Sequence, residues 1–318
     1  MTAPTLSRRH IVVMSVAAGA GFSLAGPHIL AAEPAAAAAG KPITKAIPST
    51  GEKLPVIGLG TNAYSVSAPE DLAQRREVLA AMPQLGGSII DTAPSYGSSE
   101  SVLGELIANI GNRDKLFIAT KVTAPNDNVQ EGTAMLEESF RRLRVKKIDL
   151  MQVHSLNGVN AILPVLLEWK KQGRIRYVGV TTSNDRLYPG MLEAMKKYPL
   201  DFIQVDYSIA NRSAADELLP LAQERKIAVL ANLPLGGRNG SLFTRVANKP
   251  LPPWAGEIDA QSWGQVFLKY VVSHPAVTAA IPGTTRLKNM EDNQAAGRGR
   301  LPDAALRKRM EEYWDALS

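Results

Sequence analysis

One pattern constrains this chain more than any other. Short apolar runs of strand length alternate, eight times over, with longer segments of helical period. The runs fall at 56–59, 88–91, 116–120, 149–153, 176–180, 202–205, 227–231 and 277–281. Most are continuous in Val, Ile, Leu and Ala instead of alternating with polar residues, as parallel strands covered on both faces require. Between and after them the spacing predicts helices near 70–85, 99–110, 129–144, 159–172, 189–197, 213–225, 261–273 and 286–296. Gly86-Gly87, Gly111 and Gly173 stand where three of these helices should stop. Strict β–α alternation through eight strands predicts a (β/α)8 TIM barrel, one domain over residues 41–318. A doubly wound sheet would normally carry G-x-G-x-x-G after an early strand, and that motif is absent. Ile43 to Ala46 and Lys53-Leu54, around a Pro-Ser-Thr-Gly turn, predict an N-terminal β-hairpin. Leu306, Met310, Tyr313 and Leu317 predict a C-terminal amphipathic helix over 303–316. The longest stretch without a strand, Pro234 to about Ala260, follows the seventh run and is expected to form a lid or substrate wall.

Residues 1–40 stand outside this pattern. Ser7-Arg8-Arg9-His10 precedes an apolar, Ala- and Gly-rich stretch from Ile11 to Gly26, then Pro27, then small-residue cleavage sites among Ala31 to Ala39. That order is an export signal followed by an Ala-rich leader, and the paired arginines resemble the twin-arginine (Tat) class. The expectation is a partnership with the Tat export machinery, a periplasmic or extracytoplasmic location, and a mature form without a stable membrane span. The duller alternative is a cytosolic chain with an Ala-rich leader. Lys and Arg are spread along the chain and the formal charge is +6, falling to +4 without Arg8 and Arg9, so nucleic-acid binding is not expected. Cysteine is absent, which removes disulfides, thiolate metal sites and thiol nucleophiles. Beyond the leader only His154 and His274 remain as histidines, so no metal site is expected.

Four polar residues sit at or just beyond the ends of three apolar runs: Asp91 and Tyr96 in S-I-I-D-T-A-P-S-Y-G, Lys121 in L-F-I-A-T-K, and His154 in D-L-M-Q-V-H. In a parallel barrel the C-terminal strand ends carry the active site. Each residue alone has a structural explanation: a turn cap, a buried ring, a solvated strand end, a satisfied core histidine. Together, a carboxylate, a phenol, an ammonium and an imidazole on one rim suggest acid–base chemistry on a carbonyl. An ammonium near a phenol should lower its pKa from about 10.

The hairpin, G-L-G-T (58–61), D-T-A-P-S-Y-G (91–97), A-T-K (119–121), Q-V-H (152–154), G-x-I-R-Y-V-G-V (173–180) and I-P-G-T-T-R-L-K-N-M-E-D-N (281–293) together resemble the aldo-keto reductase superfamily, over essentially all of residues 43–300. The resemblance implies a barrel that binds an extended nicotinamide cofactor, NADP(H) with NAD(H) as the alternative, and passes hydride to or from a carbonyl carbon of a small-molecule carbonyl or alcohol substrate. It makes Tyr96 the general acid, Lys121 and Asp91 its tuning pair, and His154 the residue that orients the carbonyl. Gly60, Thr61 and Asn62 would border the nicotinamide, with Gln204 on its amide. Leu235 to Arg238 would face the pyrophosphate, with Gly236 and Gly237 permitting close backbone approach, and Gly283, Thr284, Arg286, Asn289 and Asn293 the adenosine end. Four features depart from the usual pattern. The Lys-Ser…Arg grip on a 2′-phosphate reads Gly283-Thr284…Asn289, with Arg286 or Lys288 in compensation. Thr181-Thr182 replaces the Ser-Asn pair that meets the carboxamide, although Ser183-Asn184 follows two residues later. Asn232 replaces the aromatic that stacks on the ring, and Asn62 stands where many members place Trp. A cofactor-sensing subunit with little turnover is the second reading, and Tyr96→Phe separates the two.

Overall fold

The computed structural model describes residues 40–237 and 240–317, so the expected export signal lies outside the described residues. The hairpin pairs β1 (Thr44–Ala46) with β2 (Lys53–Pro55), antiparallel. The barrel strands are β3 (Leu59–Gly60), β4 (Ile89–Asp91), β5 (Phe117–Val122), β6 (Ile148–His154), β7 (Ile175–Thr181), β8 (Phe202–Asp206) and β9 (Ala228–Asn232), with β12 (Ala279–Ala280) as the eighth. They form one parallel sheet in chain order from β3 to β9 and then β12. The sheet closes where Gly58 N donates to Ala280 O at 2.8 Å, Ala280 N to Val56 O at 2.9 Å and Gly60 N to Pro282 O at 3.1 Å. The fold is the expected (β/α)8 barrel.

Ten α-helices complete the described chain: α1 (Pro69–Ala81), α2 (Ser99–Ile110), α3 (Val129–Leu143), α4 (Val159–Lys171), α5 (Tyr188–Lys197), α6 (Leu218–Glu224), α7 (Leu242–Arg245), α8 (Trp263–Ser273), α9 (Leu287–Ala296) and α10 (Ala304–Ala316). The helix expected over 213–225 is instead a 3-10 turn, Ser213–Ala215, followed by the short α6. Pro220, in the first turn of α6, has no N–H to give the carbonyl of Asp216 and its ring crowds that carbonyl, which favours a helix that starts at Leu218. The segment after β9 is less bare than its composition suggested. It holds a two-residue antiparallel pair, β10 (Gly236–Gly237) with β11 (Gly240–Ser241), then α7 and a 3-10 segment, Pro253–Ile258. Gly236 at φ 99° and Gly240 at φ 97° supply the left-handed backbone that such a tight reversal needs. Among the described residues no helix is long and apolar enough to cross a membrane.

Strand side chains alternate between two cores, as the period of two demands. One parity, including Ile90, Ile118, Met151, Val153, Val178, Val180, Ile203, Val205 and Val229, packs outward under the helices. The other fills the barrel: Ile89, Phe117, Ala119, Leu150, Tyr177, Phe202, Ala228, Leu230, Ala279 and Ile281, closed at the hairpin end by Ile47 and Leu54. Space inside is tight. A Cβ on Gly179 would sit 2.6 Å from the Phe202 carbonyl oxygen, so only glycine lets β7 and β8 approach around that ring. Lys45 ties the hairpin to the barrel floor, donating to the carbonyls of Val272 at 2.7 Å, His274 at 2.9 Å and Val277 at 2.7 Å. The interior is therefore an apolar plug whose upper layer can only be finished by side chains further along the same parity.

Candidate active site

Two residues beyond the plug, the inward parity turns polar. Asp91 follows Ile89, Lys121 follows Ala119, Gln152 and His154 follow Leu150, Gln204 follows Phe202, and Asn232 follows Leu230. Register sets their heights: Lys121 lies beside Gln152, His154 beside Thr181, and Thr181 beside Gln204. Asp91 and His154 close their strands, whereas Lys121 is the fifth of six residues in β5, one step inside the strand and not beyond it. Tyr96 arrives from the turn between β4 and α2, where its N–H donates to the Ala93 carbonyl at 3.1 Å.

Lys121 is 1% exposed and Asp91 3%. The ammonium donates to Asp91 Oδ2 at 2.6 Å, to the Thr92 carbonyl at 2.8 Å and to the Tyr96 hydroxyl at 3.4 Å. All three donor hydrogens of a lysine are thus spoken for. The other carboxylate oxygen, Asp91 Oδ1, accepts from Gln204 Nε2 at 2.7 Å and Gln152 Nε2 at 3.4 Å. Gln204 Oε1 in turn accepts from Thr181 Oγ1 at 3.1 Å and Asn232 Nδ2 at 3.4 Å. The tetrad is the visible end of a polar sheet layer. The Tyr96 and His154 rings meet edge-on at 6.3 Å, and Ser95 Oγ lies 3.5 Å from His154 Nδ1.

Burial decides the protonation states. It raises the Tyr96 phenol, and the opposing pull of Lys121 does not overcome it, so the expected lowering does not occur. For Lys121 burial acts to lower the pKa, but Asp91 and Tyr96 outweigh it and the ammonium ends above its usual range. Burial, helped by the Lys121 charge, drops His154 to about 4. Near neutrality the site therefore holds a protonated phenol, a charged ammonium and a neutral imidazole: a poised proton donor beside a neutral hydrogen-bonding group.

The four residues line one cleft of about 330 Å³. Gly60, Thr61, Asn62, Thr181, Thr182, Gln204, Asn232, Leu235 and Gly283 line it too. Thr61 is fully buried, its hydroxyl bound to the Asp91 carbonyl at 2.8 Å, and so contributes backbone more than side chain. Of the two candidate pairs after β7, Thr181-Thr182 reaches the cleft with Ser183, whereas Asn184 faces a neighbouring groove, as does Gly237. Thr284, Arg286, Asn289 and Asn293 do not line the cleft. They lie at the start and along the length of α9, beyond Gly283, with Thr284 Oγ1 accepting from the Arg286 N–H at 3.3 Å.

Similarity to known proteins agrees with this geometry. The Aldo/keto reductase family description matches residues 56–313. The chain belongs to the aldo-keto reductase family. Methylglyoxal reductase YeaE of Escherichia coli (strain K12) is 32% identical over 265 residues, covering 80% of this chain and 89% of that protein. Aldo-keto reductase str7 of Strobilurus tenacellus is 26% identical over 290 residues, covering 78% and 84%. The thermostable aldo-keto reductase Tm1743, solved with the inhibitor epalrestat, superposes with a TM-score of 0.67 at 26% identity, over 86% of this chain and 99% of that one. An aldo/keto reductase of Klebsiella pneumoniae, solved with NADP and acetate, shares the fold with a TM-score of 0.65 at 24% identity, over 82% and 93%.

In this aldo-keto reductase Gln152, the first residue of Q-V-H, joins the site although its sequence context marks it only as a strand residue. Its parity with His154 was the available signal: two residues before an inward histidine, it must face inward as well. Its Oε1 and that of Asn232, Oδ1, are buried without a hydrogen-bond partner. His274, pressed by burial and then by Arg307, also sits at about 4. Both histidines titrate near 6.5 when unfolded, so between pH 6.5 and 4 the unfolded chain binds more protons. Stability to urea should therefore fall as pH drops through that window, and His154→Gln should flatten part of the slope. A wild-type stability unchanged between pH 6.5 and 4 would contradict these assignments.

Proposed function

We propose that this aldo-keto reductase is an NADP(H)-dependent carbonyl oxidoreductase, reducing an aldehyde or ketone to an alcohol or running the reverse, with Tyr96 as general acid. The observation that carries the reading is the Tyr96 hydroxyl, 3.4 Å from an ammonium that is itself fixed 2.6 Å from Asp91, opening on a cleft shared with a neutral His154. The polar layer suits a nicotinamide carboxamide. Gln204 is engaged at both ends, which leaves the unpartnered Asn232 Oδ1 as the acceptor for an amide N–H. Arg286 and Lys288, at the free N-terminus of α9, suit the 2′-phosphate that distinguishes NADP(H) from NAD(H). When bound, the nicotinamide supplies hydride to the carbonyl carbon or takes it from the alcohol.

The chain's own residues do the rest. His154, neutral, donates a hydrogen bond that orients the substrate oxygen. Tyr96 releases its proton to that oxygen, and the adjacent Lys121 charge stabilises the phenolate left behind. Asp91 keeps the ammonium charged and aimed, while Gln152 and Gln204 hold the carboxylate in turn. A positioned proton donor is worth about 10²–10⁴ in rate. Tyr96→Phe should lower kcat by that factor and leave NADPH affinity, read by fluorescence quenching, within twofold. A loss below tenfold would refute the acid role. Methylglyoxal, the substrate named for the Escherichia coli relative, is a suitable first carbonyl for the assay.

The leader supports export by the Tat route to an extracytoplasmic compartment, the barrel following as a single domain over 41–318. Nicotinamide nucleotide is scarce there, and the Tat route carries folded proteins. The proposal therefore includes cofactor loaded before export and retained through alternating oxidation and reduction of two substrates. Replacing Arg8 and Arg9 by lysine should leave the protein in the cytoplasmic fraction. Unchanged export of that variant, or exported protein purified without nucleotide, would count against this part.

A further inference from the structure

His154 is neutral, and the two nitrogens of a neutral imidazole do opposite things. One carries the hydrogen and donates, the other accepts, and the partner of either nitrogen decides the role of its neighbour. Among the described residues the one hydrogen-bonding group at this ring is Ser95 Oγ, 3.5 Å from Nδ1. His154 lines the cleft and Ser95 does not. Nδ1 is thus turned toward the rim, and Nε2, on the far side of the ring, is the nitrogen left for the cleft.

Both partners are held by locked turns. Ser95 belongs to the turn that carries Tyr96, where Pro94 restricts the backbone and the Tyr96 N–H closes on the Ala93 carbonyl at 3.1 Å. The Ser98 N–H fastens the same turn to Ser65 Oγ at 3.0 Å. On the other side, β6 ends at His154 and the chain reverses through two left-handed residues, Ser155 at φ 51° and Leu156 at φ 58°. Neither is glycine, so the reversal carries a conformational cost that its surroundings must meet. They do so through the Asn157 N–H on the His154 carbonyl at 3.0 Å and the Ala124 N–H on the Asn157 carbonyl at 3.1 Å. A separation of 3.5 Å is long for a hydrogen bond, and such contacts often tighten only when substrate fills the site.

A hydroxyl can donate to Nδ1 or accept from it. An imidazole nitrogen is a far stronger base than a hydroxyl oxygen, so the favoured arrangement has Ser95 donating and the ring hydrogen on Nε2. We propose that Ser95 is a positioning residue for the carbonyl reduction: its hydroxyl holds Nδ1 as acceptor and thereby turns an N–H of His154 toward the substrate oxygen. The opposite tautomer would present a lone pair to that oxygen and repel it. This rests on the carbonyl-reductase reading of the cleft. Ser95 exchanges no proton with the substrate; it fixes a tautomer and leaves proton donation to Tyr96. One turn thus carries both the acid and the group that sets the orienting histidine.

NMR of the nitrogen-labelled mature chain near neutral pH reads the tautomer from proton–nitrogen correlations within each imidazole. Beyond residue 40 the chain has only His154 and His274, and His154→Gln assigns the spectrum by removing one set of signals. His274 is an internal standard, because its Nδ1 accepts from the Ala276 N–H at 3.2 Å and its hydrogen must sit on Nε2. Wild-type His154 should show the same pattern. Ser95→Ala should convert His154 to a mixture of tautomers and lower kcat for methylglyoxal about fivefold, the worth of one neutral hydrogen bond. His274 signals and NADPH affinity should stay as in the wild type, which shows that the variant folds. Ser95→Thr, which keeps the hydroxyl, should restore both tautomer and rate. A wild-type His154 with its hydrogen on Nδ1, a tautomer that Ser95→Ala leaves unchanged, or a shifted tautomer with unchanged kcat overturns the proposal. Full turnover in His154→Gln, or no NADPH-linked reduction of any carbonyl by the wild type, overturns the functional reading beneath it, and the spectra separate the two failures.

Discussion

The site depends on one buried ion pair. Lys121 and Asp91, almost wholly removed from water, meet at 2.6 Å in the barrel mouth. Neither charge is tolerable there alone, since removing one partner of such a pair typically costs about 3–5 kcal/mol. The surrounding layer reads as the means of keeping both. Two glutamine amides satisfy Asp91 Oδ1, and the Thr92 carbonyl takes the lysine hydrogen that Asp91 and Tyr96 leave. Every polar side chain in the layer occupies the strand parity that would otherwise carry the next tier of apolar plug.

The same burial that makes the pair necessary fixes the chemistry. A phenol in this position would be too weak an acid, because desolvation raises its pKa. The lysine does not overcome burial for the phenol at rest; in the proposed reaction it acts on the phenolate that forms. In that reaction the proton held on Tyr96 is the one given up, and the ammonium lowers the cost of releasing it. His154 contributes by staying neutral, since a second positive charge beside Lys121 would oppose it.

Much of this was legible in the sequence. Eight apolar runs gave the barrel, and the residues at their ends gave the tetrad, because strand parity and strand termini are both encoded in spacing. What was illegible was set by three-dimensional context. The direction of the Tyr96 shift depends on how much water the turn from Ala93 to Tyr96 excludes. Gln152 reads as one more strand residue until the register sets it beside Lys121, where its amide reaches Asp91.

The central claim is that the barrel mouth transfers hydride to a carbonyl under proton donation from Tyr96. Single-turnover mixing of the protein with NADPH deuterated at the transferring position, and methylglyoxal, reads it directly by mass spectrometry of the product. The account predicts one deuterium at the former carbonyl carbon at a rate matching NADPH consumption, with the Tyr96→Phe protein binding the nucleotide and transferring almost none. Nucleotide binding without deuterium transfer in the wild-type protein would contradict it.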